Sequence, residues 1–109
     1  MSDKKQLYLV LETKYFNEIL SGEKKEEYRV FSDFYIKRLA VIDEEGDLID
    51  TKKYDTVKFQ LGYKKGAPQM IVECKEILIE HDADAGDILT DQNCNFVIVL
   101  GEILEKKNC

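Results

Sequence analysis

The stretch Ser21-Gly-Glu-Lys-Lys-Glu-Glu-Tyr-Arg29 carries the densest ionic chemistry in the chain. Three cations (Lys24, Lys25, Arg29) and three carboxylates (Glu23, Glu26, Glu27) fall within seven positions. Arginine offers a planar fork that matches a phosphate, a carboxylate or a base edge, whereas lysine offers a mobile point charge. Residues two apart on a strand project the same way, roughly 6.5 Å apart, so Glu27 and Arg29 can pair or share a ligand. The same residues also suit a solvated, salt-bridged edge, where each exposed pair contributes less than about 1 kcal/mol. Strict alternation sets Lys25, Glu27 and Arg29 on one face and Lys24, Glu26, Tyr28 and Val30 on the other.

A second candidate is Tyr63, preceded by Gly62 and followed by Lys64 and Lys65. An aromatic beside two lysines suits base stacking with phosphate attraction, although the last inward residue of a strand has the same pattern. Arg38 falls on a predicted helix and faces either a cleft or solvent. Tyr8, Tyr15, Tyr28, Phe34, Tyr35, Tyr54 and Phe59 read as core or rim. His81-Asp-Ala-Asp-Ala-Gly-Asp87 invites a metal reading but fails the calcium-loop pattern. Gly86 is at position five counted from Asp82, and Asn93 stands where a bidentate Glu is needed. His81 is the only histidine, so Ser-His-Asp, Cys-His and phosphate-loop patterns are not visible. Neither a metal site nor a cofactor is expected.

These residues need a scaffold, and composition bounds it. A chain of 109 residues with 44% hydrophobic content suits one domain over 1–109, with an ordered core over about 7–104. The longest strongly apolar run, Phe96–Leu100, is far too short to span a bilayer. The first residues lead into a strand-like run rather than a secretion signal. Three cysteines without C-x-x-C spacing argue against a disulfide framework or zinc site and suggest a reduced, cytoplasmic protein. The net charge of −6 arises wholly after Lys65, where three Lys/Arg face nine Asp/Glu; before that, thirteen balance thirteen. Overall acidity opposes a broad nucleic-acid footprint, but the neutral N-terminal part can still present a small basic face.

The element order reads β-α-β-α-β-β-β. Leu7–Leu11 is a short buried strand. Thr13 is placed to cap a helix whose apolar face is Phe16, Ile19 and Leu20, with Gly22 just past its end. Ser32 caps a second helix, with Phe31 stapling onto Ile36 and with Tyr35 and Leu39 facing inward. Asp43–Asp47 is a polar turn. Thr56–Tyr63 alternates, with Val57, Phe59, Leu61 and Tyr63 inward. Met70–Glu80 changes phase between Cys74 and Ile77, predicting a bulge near Lys75-Glu76 in a curved sheet. Asp82–Asn95 reads as an acidic loop. Phe96–Leu100, apolar almost throughout, predicts a strand covered on both faces. Helices early and strands late indicate an α+β fold with a small mixed or barrel-like sheet.

Gly22-Glu-Lys24-Lys-Glu-Glu27-Tyr-Arg29 resembles the G-x-K-x-x-E-x-R signature of ASCH domains, members of the PUA-like superfamily. Its setting is similar too: an opening strand, a helix ending in YFNEILSG, the signature, then a second helix. VKFQLGY and FVIVLG resemble later strands of that family, so the likeness covers about Leu7 to Leu104. It implies a small PUA-like β-barrel with flanking helices and a cleft lined by the signature charges. It also implies binding of RNA or a nucleotide, with Lys24, Lys25, Glu27, Arg29 and Tyr63 as the candidate contacts. Some small bacterial ASCH proteins are amidohydrolases on N-acylated cytidine or ribonucleases. In that alternative Lys24 takes the place of the catalytic lysine in the resemblance. Glu27 stands where those enzymes carry Thr, and an assisting acid is left among Glu80, Asp82 and Asp84. A protein-interaction module using the acidic C-terminal part is the third class.

Overall fold

Two long strands shape the molecule, and their bending decides where everything else sits. The computed structural model describes residues 5–82, 84, 89–90 and 92–109. In chain order these form β1 (Gln6–Leu11), α1 (Thr13–Leu20), β2 (Glu26–Val30), α2 (Asp33–Leu39), β3 (Ala40–Ile42), β4 (Leu48–Thr51), β5 (Thr56–Leu61), β6 (Gln69–His81) and β7 (Cys94–Lys107). β6 and β7 form one antiparallel ribbon, running from the Gln69–Lys107 pair to the His81–Cys94 pair. Its register shifts three times, between Ile71 and Val72, Val72 and Cys74, and Cys74 and Glu76. Bulges bend a strand and raise its twist, so the ribbon curls. The buried positions follow the bend: Met70, Val72 and Cys74 point inward, and after the last shift Ile77 does so at the opposite parity. The predicted bulge near Lys75-Glu76 is therefore present.

The curled ribbon recruits strands at opposite ends. β5 pairs with the first part of β6, over Gln69–Glu73, and β1 adds to β5 in parallel. β2 pairs instead with the first part of β7, over Asn95–Val99. The sheet order β1-β5-β6-β7-β2 thus leaves β1 and β2 as its two edges. The result is an α+β fold with a mixed, curled five-stranded sheet forming a half-barrel. Its concave side holds the core around Phe16, Leu39, Val57, Phe59, Met70 and Phe96. Phe96, Val97, Ile98 and Leu100 are all buried, which fits the continuous apolar run of a strand covered on both faces.

α1 packs against β5, and α2 runs directly into β3. The N-cap of α1 is Glu12, without a side-chain capping bond, so Thr13 begins the helix rather than capping it. At its other end Gly22 takes φ +86°. That left-handed conformation turns the chain, and Lys24 N–H donates to Glu18 carbonyl at 3.1 Å. Ser32 caps α2 as predicted, accepting from Tyr35 N–H at 3.5 Å. Phe31 is buried and packs its ring 5.2 Å from that of Phe96.

Two further features depart from the sequence reading. Ala40–Ile42 and Leu48–Thr51 pair as a small hairpin around the polar turn, and Thr51 Oγ1 donates to Ile77 carbonyl at 2.7 Å, tying it to β6. β5 stops at Leu61, because Gly62 at φ +72° ends the alternation. Tyr63 is consequently 88% exposed rather than the last inward residue. The predicted acidic loop falls partly on residues 83, 85–88 and 91, including Gly86, which lie outside the described residues. Among the described residues, no helix is long and apolar enough to cross a membrane.

Cys74 and Cys94 are buried thiols, while Cys109 is exposed. Burial, and secondarily the Asp55 carboxylate, pushes the Cys74 thiol up from 9.0 to about 11. Between those values the unfolded chain has lost a proton that the folded chain keeps, so stability falls as pH rises. The thermal midpoint should therefore drop between pH 9 and pH 11, and Cys74→Ala should flatten that drop relative to its own value at neutral pH. An identical slope in the variant would contradict the assignment.

Candidate functional site

The open seam between β1 and β2 is also where the signature charges meet. β2 pairs with β7 through Glu26–Val99 to Val30–Asn95, which turns Glu27 inward and leaves Tyr28 and Val30 about half exposed. Glu27 is only 5% exposed and is the one buried charged residue among the described residues. A buried carboxylate must have its lone pairs satisfied. Glu27 Oε1 accepts from Lys24 Nζ at 3.1 Å and from the Tyr28 backbone N–H at 3.0 Å. Glu27 Oε2 accepts from Arg29 Nη2 at 3.1 Å.

Arg29 carries the contact across the seam. Its Nη2 also donates to Val10 carbonyl on β1 at 3.2 Å, and its Nη1 donates to Tyr35 Oη on α2 at 2.8 Å. One guanidinium thus joins β2, β1 and α2. Two edge groups, the Tyr28 N–H and the Val10 carbonyl, are capped by side chains instead of by another strand, which blunts both edges. Arg29 Nε is buried, and among the described residues no protein group accepts from it. Lys24 Nζ lies 4.7 Å from the Tyr15 ring centroid and 5.9 Å from that of Tyr28, so the ammonium also meets two aromatic faces.

These groups line a cleft of about 550 Å³, together with Val10, Leu11, Glu12 and Tyr35. That size falls within the roughly 300–1,000 Å³ of small-ligand sites. Its ionic groups are two cations, Lys24 and Arg29, and two carboxylates, Glu27 and Glu12. Tyr28 Oη donates to Glu26 at 2.9 Å; that hydrogen bond, then the charge of Glu26, raises the phenol above its ordinary value. Tyr28 therefore offers a neutral ring well into alkaline pH.

The structure brings Lys24, Glu27 and Arg29 together but not the other two candidates. Strict alternation put Lys24 on the wrong face: it precedes the first residue of β2, and the turn after Gly22 carries it back over Glu27. Lys25 lines a separate hollow with Glu26, Lys75 and Glu102, while its carbonyl accepts from Leu100 N–H at 2.8 Å. Tyr63 lines two neighbouring hollows, not the cleft itself. Glu80, Asp82 and Asp84 are absent from the cleft lining. Tyr15 and Tyr35, read only as core or rim, are walls of the cleft. Nothing in sequence could assign Tyr35 to Arg29, because the contact depends on how α2 docks. Among the described residues, Asp43, Glu45 and Asp47 bring three carboxylates within 4.8 Å of one another. Asp43 Oδ1 accepts there from the Glu45 and Asp47 N–H groups, both at 2.9 Å, so the cluster carries its own turn.

No family model, curated protein or solved structure matches this chain.

Glu27→Gln keeps the shape but removes the only charge that both cations share. It should destabilise the fold by about 2 kcal/mol in urea titration, with the m-value unchanged. Lys24→Met should cost less, about 1 kcal/mol or under, because Arg29 still pairs with Glu27 and the ammonium is partly solvated. Equal losses would contradict the ordering.

Proposed function

We propose that the chain is an ASCH-type, PUA-like domain that binds a nucleotide, free or within single-stranded RNA, in the cleft at the β1–β2 seam. The observation that supports this reading most strongly is the convergence of the Lys24–Glu27–Arg29 triad with three tyrosines. Lys24 and Arg29 are offset by Glu27 and Glu12, so the cleft has little net charge to attract a bare polyanion. A nucleobase needs something else: aromatic faces to stack on and fixed donors and acceptors at its edge. Tyr15 and Tyr28 supply the faces. Lys24 Nζ supplies a donor at the cleft wall, and Glu27 holds both cations in place. The spacing in the signature then has a physical purpose, since Glu27 and Arg29 two apart on β2 form a prealigned pair.

The amidohydrolase alternative, on N-acylated nucleosides such as N4-acetylcytidine, is favoured by one observation: Lys24 sits in the cleft beside a carboxylate. A lysine acting as base or nucleophile must give up its charge, however, and Glu27, the Tyr15 ring and the Tyr28 ring all interact with that charge. Binding is the reading this arrangement fits better.

Fluorescence anisotropy with short single-stranded RNAs at low salt should show binding that weakens on adding salt. The slope should be shallow, about −0.7 for each phosphate engaged, because few cations are free to meet phosphates. Arg29→Lys, which keeps the charge and loses the fork, should weaken binding at least about tenfold. Lys25→Ala should match the wild type. No binding at low salt would overturn the reading, and turnover of N4-acetylcytidine that disappears in Lys24→Ala would replace it with the enzymatic one.

A further inference from the structure

A second hollow, of about 240 Å³, adjoins the cleft and shares Val10, Arg29 and Tyr35 with it. Its other walls include Tyr8, Phe34, Arg38 and Tyr63. None of these four belongs to the hydrophobic core or packs against it. Phe34 is 57% exposed although it stands in the first turn of a helix, where a polar residue would serve the fold equally well. The hollow also differs from the cleft in charge. It contains both arginines of the chain and no carboxylate, in a molecule whose net charge is −6.

Its side chains are arranged in a row that leads into the cleft. The Arg38 guanidinium lies 4.3 Å from the Phe34 ring centroid. Phe34 meets Tyr35 edge to face at 5.0 Å, and Tyr35 Oη accepts from Arg29. Uncompensated positive charge beside exposed aromatic faces complements a phosphodiester followed by a base, and single-strand binding sites combine these two elements. The neutral cleft lacks that surplus charge.

We propose that this hollow is a second nucleotide subsite, so that the ligand is a single-stranded RNA segment of at least two nucleotides rather than a free mononucleotide. The inference rests on the nucleotide reading of the main cleft. One base occupies the cleft beside Tyr15 and Tyr28. The linking phosphate meets Arg38 at the boundary marked by Arg29, and the next base stacks on Phe34 with Tyr63 beside it. Phe34, Arg38 and Tyr63 thereby set a length requirement that the signature residues alone do not impose.

Calorimetric titration with ribonucleoside 5′-monophosphates and with 5′-phosphorylated ribodinucleotides, at one salt concentration, tests this directly. The best dinucleotide should bind about tenfold more tightly than its better mononucleotide. In Phe34→Ala and in Arg38→Gln, both exposed positions, that ratio should fall to about one. A ratio near one in the wild-type protein, or a ratio retained in either variant, would overturn the second subsite and leave the cleft reading intact. Failure of the wild-type protein to bind either ligand would overturn both.

Discussion

A half-barrel with two facing edges has to be held at its seam by something other than a strand ladder, and here a single buried carboxylate organises that closure. Glu27 is taken almost fully out of water, so it requires partners, and it finds three: Lys24, Arg29 and the N–H of Tyr28. Arg29, oriented by this bond, is then able to reach Val10 on β1 and Tyr35 on α2. Removing the charge would leave two cations close together with no common counter-charge. Sheet closure, helix placement and the shape of the cleft therefore depend on one ionic cluster.

That dependence explains why a binding site would lie here. Where the ladder is unbroken, backbone groups are consumed by strand pairing. At the seam they are met by side chains, which leaves room between β1 and β2 and puts polar atoms along its walls. The side chains that close the fold, Lys24, Glu27 and Arg29, are also the ones that line the cleft. Rigidity follows from the coupling: a triad fixed by structural demands is already aligned before any ligand arrives, which lowers the ordering cost of binding.

Sequence patterning captured the parts governed by local rules. The bulge in β6 was legible from a parity change between Cys74 and Ile77, and the α2 cap from Ser32. Both are set by residues close in sequence. Long-range arrangement was less accessible. The β3–β4 hairpin is built from strands of three and four residues, too short for any period to register. Parallel pairing of β1 with β5 depends on the curl of the whole sheet. Within the site, Glu27 and Arg29 could be placed together because strand alternation holds there. Lys24 and Lys25 exchanged roles because they precede the strand, where a left-handed glycine sets direction. Tyr63 was misjudged inward for a related reason, since Gly62 ends the strand one residue earlier. The resemblance to the ASCH signature singled out Lys24, Glu27 and Arg29 from six charged neighbours, a selection that charge counting could not make.

The central claim is that the group closing the seam also reads the ligand, and the Arg29 side chain reports on it directly. The chain has only two arginines, so a nitrogen–proton correlation spectrum of the arginine Nε–H groups contains two resonances to assign, with Arg29→Lys identifying one of them. Titration with a ligand that binds should shift the Arg29 Nε–H resonance, because the part-exposed guanidinium to which it belongs lines the cleft. Saturation of the protein with that resonance unmoved would contradict the account.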